Sequence, residues 1–242
     1  MTTNLHAALA CRVFGCLTLA AAAAAAPPPA TPIATATVPT AADTSAPAAF
    51  PRVGKWMYNA LGEPAHWLGE VYRGKQLREP INVLIVDRFA TSAANAEARL
   101  VAACQRAGYP ARFGHSSGYR GYIEGSFYPQ LPEQKDTAFS NFPFEMDNNH
   151  GRVFGPAQPR AAAGGAYYFI GAFSRERVDP VTKVKHRYGS FDRARDDFAQ
   201  RMDEHTDYRV TAFVNLENAL IGDPGVTTGD HDGIAVLLTA TR

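Results

Sequence analysis

The chain has 242 residues, with 24 Lys and Arg against 23 Asp and Glu, for a formal charge of +1. With no excess of positive charge and no Lys/Arg stripe, binding to DNA or RNA through phosphate neutralisation is disfavoured, and no nucleic-acid partner is expected. Of three cysteines only Cys104 lies beyond residue 16, so an intramolecular disulfide in the body of the chain is excluded and its stability must come from a packed core.

The first fifty residues do not read as globular. Arg12 precedes the apolar run Val13 to Leu19, which passes into Ala20 to Ala26. One positive charge, a short apolar core and small residues after it predict a secretory signal peptide over 1–26, hence an exported, periplasmic or secreted protein. The run falls short of the roughly twenty residues that span a bilayer, so a membrane anchor made by an uncleaved leader is the alternative. Cleavage would remove Arg12 and no acid, taking the charge from +1 to 0. Residues 27–51, PPPATPIATATVPTAADTSAPAAFP, carry seven prolines and little to bury, which predicts a disordered spacer. The domain is then expected over 52–242, long enough for one core.

Within it, Pro80 to Val86 (PINVLIV) is a continuous run of branched residues and predicts a buried strand. Thr91 or Ser92 can cap a helix to about Ala107, with Ala96, Leu100, Ala103 and Cys104 on one face and Gly108 as the stop. Tyr119 to Tyr128 offers a strand, and 129–147 reads as a long loop. Gly151 to Phe154 and Ala166 to Ser174 are two strands, the second rich in aromatic and β-branched residues. Ser190 can cap a helix to about Glu204, whose apolar positions Phe191, Ala194, Phe198, Ala199 and Met202 share a face. Tyr208 to Leu216 and Gly233 to Thr239 complete the set. The order predicts a single α+β domain, a mixed sheet with two main helices packed on it.

Four stretches carry candidate chemistry. GHSSG, 114–118, has the spacing of a nucleophile elbow, but a strand, tight turn and helix should surround such a serine, and YRGYIEGSFYP after it cannot be that helix. His231 lies late enough in the chain to act as a base for it. In DNNHGRVFGP, 147–156, His150 and Arg152 are two residues apart on a strand and so share a face. A histidine with an arginine suits an anion such as phosphate or carboxylate. In KVKHRYGSFDRARDDFA, 183–199, His186 precedes a helix whose first turn holds Asp192. That carboxylate complements the helix dipole and can also hold a nearby imidazole, while Arg193 and Asp197 read as a solvated face. Gly229 to Gly233 (GDHDG) places two acids around His231, which suggests a metal, although Asp232-Gly233 opening a strand is more simply a turn.

Taken in order, four segments resemble the LssY C-terminal domain family. They are the Pro80-Ile81-Asn82-Val83 strand with its helix, Asn149 to Phe154 (NHGRVF), the strand Phe169 to Ser174 followed by His186 and Asp192 to Asp196 (DRARD), and Asp232 to Val236 (DGIAV). The resemblance covers about 66–240. The family has paired histidines and an acidic run before the helix, where this chain keeps only His186 and has Arg187 to Phe191. Members occur alone or fused to membrane domains, so the resemblance implies a fold and an envelope setting, with membrane proximity. It supplies no reaction.

The resemblance also gathers His150, Arg152, His186, Asp192 and Arg195 into one expected pocket. On one reading it binds an anionic small molecule or lipid headgroup through Arg152 and Arg195 with the histidines. On the other it hydrolyses phosphate or acyl esters, with His150, His186 and Asp192 catalytic, Asp192 orienting His186 and the arginines holding charge. A metal between His150, His186 and Asp192 is a variant of the second, and a purely structural polar cluster is the third possibility. No cofactor is named by these residues, and no metal ligand set is assigned.

Overall fold

The structure is a computed structural model that describes residues 37–48, 50–159, 165–182 and 185–242. The expected signal peptide and spacer residues 27–36 lie outside the described residues. The described remainder of the spacer joins the domain. Thr44–Ser45 (β1) pairs with Val53–Gly54 (β2), the Asp43 carboxylate accepts from Trp56 Nε1 at 3.0 Å, and Phe50 is buried edge-on against Tyr168. The fold therefore begins before residue 52, because a short aromatic and acidic stretch among the prolines finds partners.

His66–Tyr72 (β3) and Lys75–Arg78 (β4) form a hairpin, and Val83–Asp87 (β5) follows. The helix Ala93–Arg106 (α1) starts where Ser92 accepts a hydrogen bond from the Asn95 N–H, and Gly108 leaves it at φ +80°. Next come Ala111–Phe113 (β6), Arg120–Ile123 (β7), Ser126–Leu131 (β8), Thr137–Ser140 (β9), Asn148–Ala157 (β10), Tyr167–Val178 (β11) and His186–Ser190 (β12). The second helix, Asp192–His205 (α2), is capped by Ser190, whose Oγ accepts from the Arg193 N–H. Tyr208–Asn215 (β13), Val226–Thr227 (β14) and Ile234–Ala240 (β15) end the chain. No helix of the described residues is long and apolar enough to cross a membrane.

Twelve strands make one mixed sheet with the path β1-β2-β7-β8-β10-β11-β5-β15-β13, while β12 pairs with β11 and β9 joins β6 to β10. The β5–β15 pair is parallel and its neighbours antiparallel. Strand β5 shows why PINVLIV has no alternation. Val83 and Ile85 pack with Leu100, Cys104, Phe198 and Met202 under the helices, whereas Leu84 and Val86 pack on the other face with Ile170 and Met57. Both faces are covered, so Val83 to Val86 are all apolar. The α+β architecture expected above is the one observed.

Gly151 sits between the two strand residues of interest, His150 and Arg152. A Cβ there would stand 2.4 Å from the Phe173 ring and 2.7 Å from the Ala172 carbonyl oxygen, part of the rigid partner strand. Gly151→Ala is expected to destabilise by about 2–3 kcal/mol through overpacking, read as a lower urea midpoint.

Candidate functional site

A cavity of about 270 Å³ opens where the ends of β10, β11 and β12 meet the β3–β4 hairpin and the loops before β7 and β10. Strand β10 contributes His150 and Arg152, β11 contributes Glu176, and β12 contributes His186. His115 and Ser116 come from the loop between β6 and β7, Phe144 from the loop before β10, Trp67 from β3, and Glu79 from just past β4.

Register places these groups. His150 lies opposite Ser174 and Asn148 opposite Glu176 in the β10–β11 pair, and Val178 lies opposite His186 in the β11–β12 pair. Directly opposed residues share a face, as do residues two apart, so the three strands present His150, Arg152, Glu176 and His186 together. Glu176 is the hub. Its Oε2 meets His186 Nδ1 at 2.7 Å and its Oε1 lies 3.6 Å from His150 Nε2, with all three side chains no more than 5% exposed. Asn148 Nδ2 donates to the same carboxylate at 3.3 Å. Trp67 Nε1 donates to Ser174 Oγ, which in turn lies 3.5 Å from His150 Nε2. The His115 ring stacks on His150 at 4.5 Å between centroids, and Phe144 stacks on His186 at 3.9 Å.

Burial sets the charge states. Burial first, then Arg152 and His186, pushes His115 down to about 3. His150 is held well below the ordinary imidazole value, by burial and then by His115, Arg152 and His186. Both rings are neutral at pH 7. Burial pushes the Glu79 carboxyl up to about 7, against the pull of Arg152 and with a further push from Glu176.

Arg152 is 3% exposed. Its Nε and Nη2 donate to the Ser116 carbonyl oxygen at 3.1 and 2.7 Å, Nη2 also donates to Ser116 Oγ, and the guanidinium lies over the Tyr119 ring. Among the described residues no carboxylate comes within 4 Å of it. Ser116 is the central serine of GHSSG. Its hydroxyl is bonded to Arg152 and Tyr119, with no hydrogen bond to an imidazole among the described residues, and a strand follows the loop where an elbow needs a helix. His231, the base considered for it, bonds to Asp192 and Asn218 instead.

The structure thus brings together His150, Arg152 and His186 and leaves out Asp192 and Arg195. The expectation that Asp192 orients His186 is corrected: Glu176 does so. Asp192 Oδ1 faces His231 Nδ1 and Arg195 Nη1, both at 3.3 Å. Arg195 is consumed by the protein, with Nη1 donating to Asp232 Oδ1 at 2.7 Å and to the Ile234 carbonyl oxygen at 2.8 Å, and Nε donating to Asp196 at 2.8 Å. It is a buried strut between the start of α2 and the start of β15, with no donor turned to the cavity. A metal shared by His150, His186 and Asp192 is excluded by the same placement.

Sequence reasoning missed His115, Glu176, Glu79 and Trp67. Glu176 carried a signal: strand alternation from Ser174 continues to it through Arg175. Glu79 and Trp67 come from the hairpin and its exit, where nothing local marks them, and His115 stands inside GHSSG, a stretch whose spacing points to its serine instead. No family model, curated protein or solved structure matches this chain. The likeness to the LssY C-terminal domain family rests on the four quoted segments alone.

Proposed function

We propose that this domain binds a small anionic molecule in the cavity, with Arg152 as its charged anchor. One observation carries the reading. Arg152 is a buried guanidinium with no carboxylate partner within ion-pair distance and no hydrogen bond from Nη1 to a described residue. Buried charges are ordinarily paired, so a cavity wall holding an unpaired one favours an incoming anion. Trp67 and Phe144 supply an apolar wall for the rest of the ligand, as small-molecule sites require. The leader-like N-terminus and the resemblance to a family found with membrane domains support an exported setting, and the Arg152 fork suits a phosphate-bearing ligand, either a free small molecule or a lipid headgroup.

Hydrolysis of a phosphate or acyl ester is the second reading, and the His186–Glu176 pair favours it. A carboxylate on Nδ1 fixes the ring and leaves Nε2 free as a base for water. Calorimetric titration with inorganic phosphate and a soluble short-chain phosphatidic acid tests binding, and release of p-nitrophenol from its phosphate and acetate esters tests turnover. Binding is expected to weaken by about 100-fold or more in Arg152→Met, the scale of losing a charge-assisted contact in a buried site. Turnover that disappears in His186→Ala with the fold intact would favour the enzyme. Equal phosphate affinity in wild type and Arg152→Met would overturn the anion reading.

A further inference from the structure

Three imidazole nitrogens in the cavity have no hydrogen-bond partner among the described residues: Nε2 of His115, Nδ1 of His150 and Nε2 of His186. Orphaned buried polar atoms are costly, so three facing one cavity mark a place prepared for a ligand that accepts nitrogen lone pairs. One nitrogen each of His115 and His150 and one carboxylate oxygen of Glu176 lie within 4.8 Å of one another. Because the two rings are stacked, the His115 ring on its loop must also turn out of the stack for both nitrogens to meet one ion, whose nitrogen and oxygen ligands stand at about 2.0–2.2 Å. The other oxygen of Glu176 is held by His186 at 2.7 Å, the kind of outer hydrogen bond that orients a ligating carboxylate.

We propose that His115, His150 and Glu176 bind a divalent first-row transition ion, zinc or a chemical equivalent, with His186 positioning Glu176 and the cavity supplying the open coordination place. Two imidazoles and a carboxylate suit such an ion, whereas calcium and magnesium require an oxygen-dominated set. The inference uses the same cavity as the anion reading and deepens it. The ion adds two positive charges beside Glu176, and an anionic oxygen would then sit between the ion and Arg152. The other grouping of this type, Asp192, His231 and Asp232, is less open to an ion. Asp232 Oδ1 is taken by Arg195 and the Ile234 N–H, and Asp192 Oδ1 by Arg195 and the Asp232 N–H.

Chelator-treated protein titrated with zinc chloride by calorimetry, and with cobalt(II) followed by visible absorption, tests this directly. One ion per chain is expected, with a ligand-field band for cobalt. Affinity should fall by about 100-fold or more in His115→Ala, His150→Ala and Glu176→Gln, and by about tenfold in His186→Ala. Far-UV circular dichroism checks that each variant is folded, and His115→Ala, on a loop, keeps the test decisive if His150→Ala is not. His231→Ala should bind as wild type does. Absence of stoichiometric binding, equal affinity in His115→Ala, or loss in His231→Ala would each overturn the proposal. Zinc binding retained in Arg152→Met while phosphate binding is lost supports both readings. Zinc binding by wild type that never takes phosphate keeps the metal and removes the anion, and phosphate binding without zinc binding does the reverse.

Discussion

Acidification from pH 7 to pH 4, with chelator present, is expected to weaken the fold by on the order of 3 kcal/mol, far more than surface titration would. His115, pushed down to about 3 by burial, and His150, also held well down, resist protonation in the folded state. In the unfolded chain both take up a proton near 6.5. The unfolded state therefore binds more protons over this window. The stability these groups contribute is fully present above about 6.5 and is lost as pH falls below it, for His115 down to about 3. Glu79 works the other way. With its carboxyl raised to about 7 it is protonated in the fold before the unfolded chain is, so lowering the pH from about 7 to about 4.5 favours the fold through this one group. Two histidines against one carboxyl leave the net slope destabilising toward acid. Urea unfolding midpoints at pH 7, 5.5 and 4 measure it. His115→Phe, which keeps a ring beside Phe144, should flatten the slope by the share of one histidine; an unchanged slope would show that His115 is solvated rather than buried against His150.

Arg195→Met is expected to cost about 1–3 kcal/mol of stability while leaving phosphate affinity of the folded protein unchanged. Arg195 is 6% exposed in its side chain and answers three acids, Asp192, Asp196 and Asp232, together with the Ile234 carbonyl. Removing the guanidinium leaves Asp196 and Asp232, 60% and 44% exposed, to be solvated by water, but the Ile234 carbonyl loses this donor, and Asp232, which also caps the entry to β15 through the Ile234 N–H, loses its anchor. Chemical denaturation gives the stability loss, and calorimetry at low temperature, where the variant stays folded, gives the affinity. A variant that kept wild-type stability but lost phosphate would place Arg195 in the site after all. The contrast with Arg152→Met, which should lose phosphate and keep most stability, separates the two polar clusters of this fold.

That separation also shows what could be read from residues in order. The β5–α1 unit was legible because its signals are local: a branched run, the Ser92 cap, the apolar face of the helix and Gly108. The shared face of His150 and Arg152 was legible because strand alternation needs only a spacing of two. Strand β11 was cut short at Ser174 since Arg175-Glu176-Arg177 has no apolar member, and that hid Glu176, whose polar side chain is called for because this end of the strand borders a cavity. The β3–β4 hairpin went unread because Leu68, Gly69, Arg73 and Gly74 take positive φ and break the alternation that marks a strand. Strand β9 lay inside the stretch taken as a loop, where four residues give too short a pattern. Asp192 was drawn to His186 by nearness in sequence, but the start of a helix is surrounded in space by whatever the sheet brings there. Here that is His231 and Asp232, about forty residues on.

Diffraction from crystals soaked in sodium tungstate, a tetrahedral oxyanion with a strong anomalous signal, tests the central assignment most directly. The expected result is a peak inside the cavity within contact distance of the Arg152 guanidinium, facing His115, His150 and Glu176. Peaks confined to exposed arginines, or at the Arg195 cluster with the cavity empty, would contradict it.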